Sequence, residues 1–401
     1  MTGHFDTNRS AGKTSDLGKT LDDVKQAPYK PYEPQNMTSS PEQFTAFAAM
    51  TLDKGKALEV EKWEYKPTAF NDEMIDIKVS ACGICGSCIH SIRGEWGTPE
   101  DMFPFVAGHE VVGTVARVGK NSSFKVGQRV GLGAQGGSCG ECSQCKEHHE
   151  PYCEKGMIGT YGGKYGDGVQ SQGGYGDYVR AHERLVVAIP DELSDEVAAP
   201  MMCAGVTTYS PLVRFGAGPG KKVAIAGIGG LGHLGLQWSK ALGAETYALS
   251  HSDSKKKDAG ELGINDEHFI VYNDMEATAK KWKSTFDLIV VTSFADHIPI
   301  KELYMPLLRA EGTVCFLGLP TQPIKELPLG LFVHGGKSMA GSIIGSPDEI
   351  RDMLKLAVQK KVRTWVQTVP MSDSKSVSQA LKDMRGGKAH YRIVLTNEHS
   401  A

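Results

Sequence analysis

The chain has 401 residues, 40% hydrophobic and 23% charged, which is enough for two domains with their own cores and unlike a disordered composition. A formal net charge of −3 gives no reason to expect nucleic acid or an anionic membrane as partner, and no apolar run approaches the length that spans a bilayer. The opening "MTGHFDTNRSAGKTSDLGKTLDDVK" lacks the apolar core of a secretory signal, and its several Asp and single Arg argue against a mitochondrial presequence, so a cytoplasmic protein is expected.

In chain order, residues 1–40 are polar and show no sustained periodicity, which predicts a flexible extension. From "MIDIKVSACG" the pattern turns to short β-rich runs punctuated by glycine: "HEVVGTVARVG", "GQRVGLGA" and "GYGDYVRAHERLVVAIP" all read as strands and turns. "SDEVAAPMMCAGVTTYSPLV" then reads as helix with Ser194 as its N-cap. Next comes strand, glycine turn and helix in "KKVAIAGIGGLGHLGLQWSKALGA", and further strands are predicted at "ETYALS", "HFIVY", "FDLIVVT" and "GTVCFLGL". Strands alternating with helices predict a doubly wound parallel sheet. The closing "SPDEIRDMLKLAVQKKV" is a predicted helix, and "HYRIVLTN" a strand able to rejoin the first β-rich unit.

Gly227, Gly229 and Gly232, with Gly230 among them, spell G-x-G-x-x-G between a strand and a helix. That order of elements suits a dinucleotide: the first glycine permits the turn, the second admits the pyrophosphate, and the third lets helix and strand pack closely. Where the second strand ends, an acid would hold an NAD ribose, but this chain has "ALSHSDSKKK". Ser250, His251, Ser252 and Lys255 offer hydroxyls and cations that accept a 2′-phosphate, so NADP(H) is expected. The competing reading is a solvated lysine run with Asp253 on the ribose.

Nine cysteines, eight of them between Cys82 and Cys203, form an odd and clustered set in a chain with no secretion signal, which favours metal over disulfides. "SCGECSQCKEHHEPYC" supplies Cys139, Cys142, Cys145 and Cys153, a spacing that suits a closed four-thiolate zinc site better than free thiols or an iron–sulfur cluster. "CGICGSCIH" is open to three readings: a zinc knuckle, a redox dithiol, or part of a catalytic site completed elsewhere. One of its cysteines with His109 and Cys203 would make an open catalytic zinc site, and Glu110 offers a carboxylate beside His109. Taken singly, His109 and Cys203 are as readily ordinary core residues.

These pieces resemble the zinc-dependent medium-chain alcohol dehydrogenases, in particular the cinnamyl-alcohol dehydrogenase branch with its NADP-dependent yeast members. The resemblance runs from about residue 42 to the C-terminus through "CGICGS", "GHEVVGTVARVG", "GQRVGLGA", the four-cysteine loop, "SQGGYGDYV", "CAGVTTYSPL" and "AGIGGLGHLG". It implies an α/β protein with a GroES-like β-rich catalytic domain (residues 41–203 and 341–401) and a Rossmann cofactor domain (204–340). It implies two zinc ions per chain: a catalytic one on Cys85, His109 and Cys203, with Glu110 as an alternative ligand, and a structural one on Cys139, Cys142, Cys145 and Cys153. It places Ser87 at the substrate oxygen, His90 at the solvent end of a proton relay that runs through the cofactor ribose, Trp96 on the substrate pocket, and His251 and Lys255 at the 2′-phosphate. A homodimer formed through the cofactor domain is also implied. By this resemblance Cys82 is structural, and Cys88 stands where the family usually has an aspartate that orients a ligand histidine.

The expected function is therefore NADP(H)-dependent interconversion of primary alcohols and aldehydes, aromatic or medium-chain aliphatic, mainly as aldehyde reduction. The rivals are a polyol dehydrogenase or other reductase of the same fold, and a catalytically impaired NADP-binding zinc protein acting as sensor or scaffold, which only Cys88 favours.

Overall fold

The structure, a computed structural model, describes residues 40–52, 58–293, 298–318, 324 and 327–397. The extension expected over residues 1–40 lies outside them but for Ser40.

Two sheets organise the chain. The first has seven strands, in the order Val366–Pro370, Arg392–Thr396, Met74–Gly83, Val111–Val118, Arg129–Leu132 and Val186–Ala188, with Tyr178–His182 also paired to Met74–Gly83. Its centre, Met74–Gly83, alternates β-branched residues with polar ones, and Ile75, Ile77 and Val79 bury one face against Phe44, Val115, Val179 and Ala181. The C-terminal strand returns here: Leu395 lies opposite Cys82 and Val394 opposite Gly83, while Cys82 also pairs with Val111 of the next strand. That register brings the ends of three distant segments to one edge of the sheet.

The second sheet has six parallel strands in the order Phe269–Val271, Glu245–Ser250, Lys222–Ala226, Phe286–Val291, Leu308–Phe316 and Ser338–Gly341. Counted along the chain this is 3-2-1-4-5-6, the doubly wound order. Its central strands Lys222–Ala226 and Phe286–Val291 are largely apolar because both faces are covered, whereas the edge strand Ser338–Gly341 is mostly exposed. Val223 and Ile225 face the helices that carry Leu234, Trp238 and Leu212, while Ala224 and Ala226 face Leu303, Tyr304 and Leu307. The strands expected at "KKVAIA", "ETYALS", "HFIVY", "FDLIVVT" and "GTVCFLGL" all form, the last beginning earlier, at Leu308.

The single helix expected at "SDEVAAPMMCAGVTTYSPLV" is divided. A turn at Asp195–Ala198 passes into 3₁₀ geometry over Ala199–Met202, and the helix proper is Ala204–Arg214. Ser194 holds the N-cap position, yet its side chain makes no cap hydrogen bond. Cys203 sits at the break with φ −128° and ψ −72°, outside helical geometry. This irregularity matters, because the first residue of a helix aims its side chain differently from one within it. Helix Pro347–Lys360 forms as expected and is capped by a reciprocal pair of bonds between Ser346 and Glu349. Among the described residues no helix is long and apolar enough to cross a membrane.

Candidate active site

Strand Met74–Gly83 ends in the cysteine stretch, and Cys85 is the N-cap of helix Gly86–Ile92. Cys82 still belongs to the strand, is fully buried, and has its thiol pushed well above the ordinary range by that burial. Cys85 instead turns towards Cys203 at the break before helix Ala204–Arg214, with the two Sγ atoms 4.0 Å apart. His109 and Glu110, on the approach to strand Val111–Val118, complete a group of four whose ligand atoms all lie within 4.8 Å of one another.

A disulfide is excluded at this separation, since it needs about 2.05 Å. Zinc fits: with Zn–S near 2.3 Å, two thiolates of a tetrahedral site lie about 3.8 Å apart. The hydrogen bond from Cys203 holds the Cys85 thiol well below its usual range, against the effect of burial, which favours a thiolate ready to ligate. The His109 ring lies flat on Tyr161, with centroids 5.4 Å apart and planes 4° from parallel, so its orientation is set by packing.

Ser87 and His90 share one face of helix Gly86–Ile92, three residues apart. Ser87 Oγ donates to Cys85 Sγ at 3.0 Å and lies 3.4 Å from His109 Nε2, so the hydroxyl sits directly at the ligand group. His90 is one turn further out and about a third exposed. Trp96 stacks on its ring with centroids 4.6 Å apart, and 43% of Trp96 remains exposed. Cys88 is fully buried beside Tyr161 and Tyr175, outside the four-ligand group, and burial pushes its thiol up to about 11.

The four-cysteine loop closes on itself. Cys139 and Cys145 Sγ atoms are 3.8 Å apart and those of Cys142 and Cys153 4.0 Å, separations that fit the edges of a tetrahedron about zinc. Backbone N–H groups of Glu141 and Cys142 aim at Cys139 and bring its thiol down to about 6. His148 and Tyr152 on the same loop reach Asp348 and Arg214, tying it to the helices behind the ligand group.

At the glycine turn, Gly227 has φ +92°, and a Cβ on Gly232 would lie 1.9 Å from the Gly227 carbonyl, so neither position tolerates a side chain. A Cβ on Gly229 would meet nothing within 4 Å, which leaves the open face a pyrophosphate needs. His233, in the helix that follows, is fully buried and held neutral, its pKa driven down to about 3 by burial and by Arg392. Its Nδ1 faces the Gly229 carbonyl at 3.3 Å, and its Nε2 accepts the Trp365 N–H at 3.3 Å. This imidazole fixes the phosphate turn against the C-terminal segment.

At the end of the second strand Ser250 is buried and accepts the Ser252 N–H, while His251 is exposed. The three lysines separate. Lys256 and Lys257 pair with Asp266 and Glu261, whereas Lys255 lies 4.7 Å over the Tyr391 ring and 3.6 Å from Asp258. Asp258 is already engaged by Tyr391 and His390.

The family models for the alcohol dehydrogenase GroES-like domain and for zinc-binding dehydrogenase match residues 71–191 and 230–359. NADP-dependent alcohol dehydrogenase 6 of Saccharomyces cerevisiae is 44% identical over 362 residues, 89% of this chain and 97% of the relative. The cinnamyl alcohol dehydrogenase SbCAD4 of Sorghum bicolor superposes with a TM-score of 0.80 at 33% identity, covering 88% of this chain and 97% of that one. The chain is a zinc-type medium-chain alcohol dehydrogenase of the cinnamyl-alcohol dehydrogenase branch. A second member of the branch, from Helicobacter pylori and solved with NADP(H), gives a TM-score of 0.77 at 31% identity, covering 88% of this chain and 98% of that one.

In this alcohol dehydrogenase the residue that sequence reasoning missed most clearly is Arg392. It is 1% exposed, donates from Nη2 to Glu110 Oε1 at 2.5 Å, and packs against Gly230 of the phosphate turn. Burial pushes the Glu110 carboxyl up while the guanidinium opposes the rise. The second carboxylate oxygen has no hydrogen-bond partner. Tyr161, His233 and Glu95 were missed as well. A cation at the third position of the predicted strand "HYRIVLTN" is the local hint of Arg392, and it names no partner.

Proposed function

We propose that this protein is an NADP(H)-dependent zinc enzyme that interconverts primary alcohols and aldehydes, of cinnamyl type and medium-chain aliphatic, working mainly as an aldehyde reductase. The carrying observation is the convergence of Cys85, His109, Glu110 and Cys203 within 4.8 Å, with the Ser87 hydroxyl against them. Zinc on Cys85, His109 and Cys203 would supply Lewis acidity to polarise a carbonyl, and a nicotinamide cofactor bound through its pyrophosphate at the glycine turn would supply the hydride.

The chain's own residues do the rest. Ser87 presents a hydroxyl that both donates and accepts, so it hands a proton to the substrate oxygen in reduction and takes one in oxidation. His90, one turn nearer solvent, supplies or removes that proton at the outer end of the relay. Arg392 holds Glu110 through Oε1 while a carboxylate oxygen stays within the 4.8 Å ligand group, so Glu110 could serve as an alternative ligand. Trp96 gives the pocket mouth an aromatic face. Lys255, His251, Ser250 and Ser252 support NADP(H), because hydroxyls and cations after the second strand would accept a 2′-phosphate that a carboxylate would repel.

The test is initial-rate oxidation of NADPH and of NADH with cinnamaldehyde and aliphatic aldehydes, alongside zinc content. Two zinc ions per chain and a strong preference for NADPH are expected. Equal use of both cofactors would sink the phosphate reading, and one zinc without turnover would favour the impaired protein suggested by Cys88.

A homodimer belongs to the same proposal. Strand Ser338–Gly341 is the outer edge of the parallel sheet, and Leu329 and Val333 beside it are 77% and 76% exposed. Pairing of two such edges would cover them. Light scattering is expected to give twice the chain mass, and Leu329→Glu with Val333→Lys to give the monomer; a monomeric parent protein would refute the dimer.

A further inference from the structure

His109 belongs to a row of rings. Its imidazole lies 4° from parallel to the Tyr161 ring with centroids 5.4 Å apart, and Tyr161 also stacks on Phe105, 5.7 Å away at 28°. Phe103 meets Phe105 edge-on at 5.0 Å. Phe105 and His109 lie on one short segment, so the phenol spans the approach to the ligand histidine. That segment is anchored through its backbone: Phe105 exchanges both bonds with Ala49, and the carbonyls of Ala107 and Gly108 accept the Tyr175 and Gly174 N–H groups. Tyr161 is held on either side, since the Thr160 N–H donates to the Ala134 carbonyl and the Gly162 N–H to the Ser171 carbonyl. Its hydroxyl lies 3.5 Å from Ser91 Oγ on helix Gly86–Ile92.

We propose that Tyr161 is a positioning residue for the catalytic metal, its flat ring fixing the plane of His109 so that Nε2 stays aimed at the ion. This rests on Cys85, His109 and Cys203 being the zinc ligands. An imidazole binds through a lone pair that lies in the ring plane, so a turn about the Cβ–Cγ bond swings that lone pair off the metal. A ligand histidine is commonly held against such a turn by a hydrogen bond at its other nitrogen. Position 88, beside Tyr161, carries a thiol, a weak donor and acceptor that gives no firm anchor of that kind. A parallel neighbour gives the same restraint sterically, because rotation drives the edge of the imidazole into the face of the phenol.

The ring, rather than the hydroxyl, carries this role. The phenol oxygen faces Ser91 at the outer limit of a hydrogen bond, whereas the face of the ring meets the imidazole. Removing the hydroxyl should therefore leave the metal site as it is, and removing the aromatic face should loosen it.

The test is zinc retention by the whole protein in a titration with pyridine-2,6-dicarboxylate, read beside the visible spectrum of the cobalt-substituted protein and the melting temperature. The Cys203→Ser variant, expected to keep only the four-cysteine ion, identifies which of the two zincs leaves first. Tyr161→Leu is expected to release the catalytic zinc at a roughly tenfold lower chelator concentration, to shift the cobalt bands, and to keep the four-cysteine zinc. Tyr161→Phe should match the parent protein in both readings. Tyr161→Met, whose pliable side chain fills space without a flat face, serves if the leucine variant folds poorly. A folded leucine or methionine variant with parental zinc retention and cobalt bands would overturn the proposal even if its melting temperature falls, since the ring would then be packing alone. Equal loss in Tyr161→Phe and Tyr161→Leu would overturn it as well, by assigning the effect to the hydroxyl. A parent protein that holds only the four-cysteine zinc would overturn the ligand assignment itself, and this proposal with it.

Discussion

Replacing Cys203 by serine is expected to lower aldehyde reduction by about a thousandfold or more and to reduce zinc from two ions per chain to one. The geometry explains why a single atom has so large an effect. Cys203 Sγ is 4.0 Å from Cys85 Sγ, an edge of the ligand tetrahedron, and its aim comes from the break between two helical segments rather than from a flexible loop. A serine hydroxyl is not deprotonated near neutral pH and is a poor zinc ligand, and a carboxylate shared with Arg392 would not replace a thiolate. Polarisation by the metal is worth several kcal/mol in the transition state, and roughly 4 kcal/mol corresponds to a thousandfold in rate. The four-cysteine loop is separate, so its zinc should remain and the melting transition should change little. Metal analysis with steady-state rates checks this. Two zincs and near-normal turnover in the serine variant would mean that Cys203 is a core thiol and the ligand set is wrong.

Arg392→Met is expected to be the most destabilising single change near the site, by about 3–5 kcal/mol, because it leaves Glu110 as an uncompensated buried charge. Glu110 is fully buried, its second oxygen already lacks a partner, and Gly83 backs so closely on it that a Cβ there would lie 2.0 Å from Glu110 Oε2. The loss should lower Tm by the order of 10 °C. Since Arg392 also packs on Gly230, weaker NADPH binding should accompany it. The paired change Arg392→Met with Glu110→Gln removes both charges and is expected to recover much of the stability but not the cofactor affinity. Denaturant or thermal melts of the three variants decide it. If the single variant melts with the parent protein, the pair is not the clasp described here.

These expectations concern residues of very different visibility in the sequence. The glycine turn and the four-cysteine loop were legible because their parts are neighbours along the chain. Cys139, Cys142, Cys145 and Cys153 lie within one short loop, so chain connectivity alone brings four thiols to one ion. Gly227, Gly229 and Gly232 are legible because a strand followed at once by a helix leaves only backbone that can turn so tightly. The alternation of strands and helices likewise predicted the parallel sheet.

Cys85 and Cys203 are 118 residues apart, and nothing in either neighbourhood names the other. In the sequence Cys203 could be grouped with one cysteine of "CGICGSCIH", and only the family resemblance picks Cys85. In space they meet because one sheet ends at Cys85 and a helical break places Cys203 across from it. Arg392 and Glu110, 282 residues apart, meet because the C-terminal strand pairs antiparallel with Met74–Gly83, which pairs in turn with Val111–Val118. Even Glu95, only five residues from His90, was not legible, since the contact depends on how the chain turns after the helix rather than on spacing. The sequence by itself determined the ligand chemistry, the phosphate turn and the parallel sheet, because these follow from residue type and local geometry. The tertiary structure decided which distant groups share a proton, a charge or a metal, because strand register and helix breaks set those distances, and register is a property of the assembled sheet.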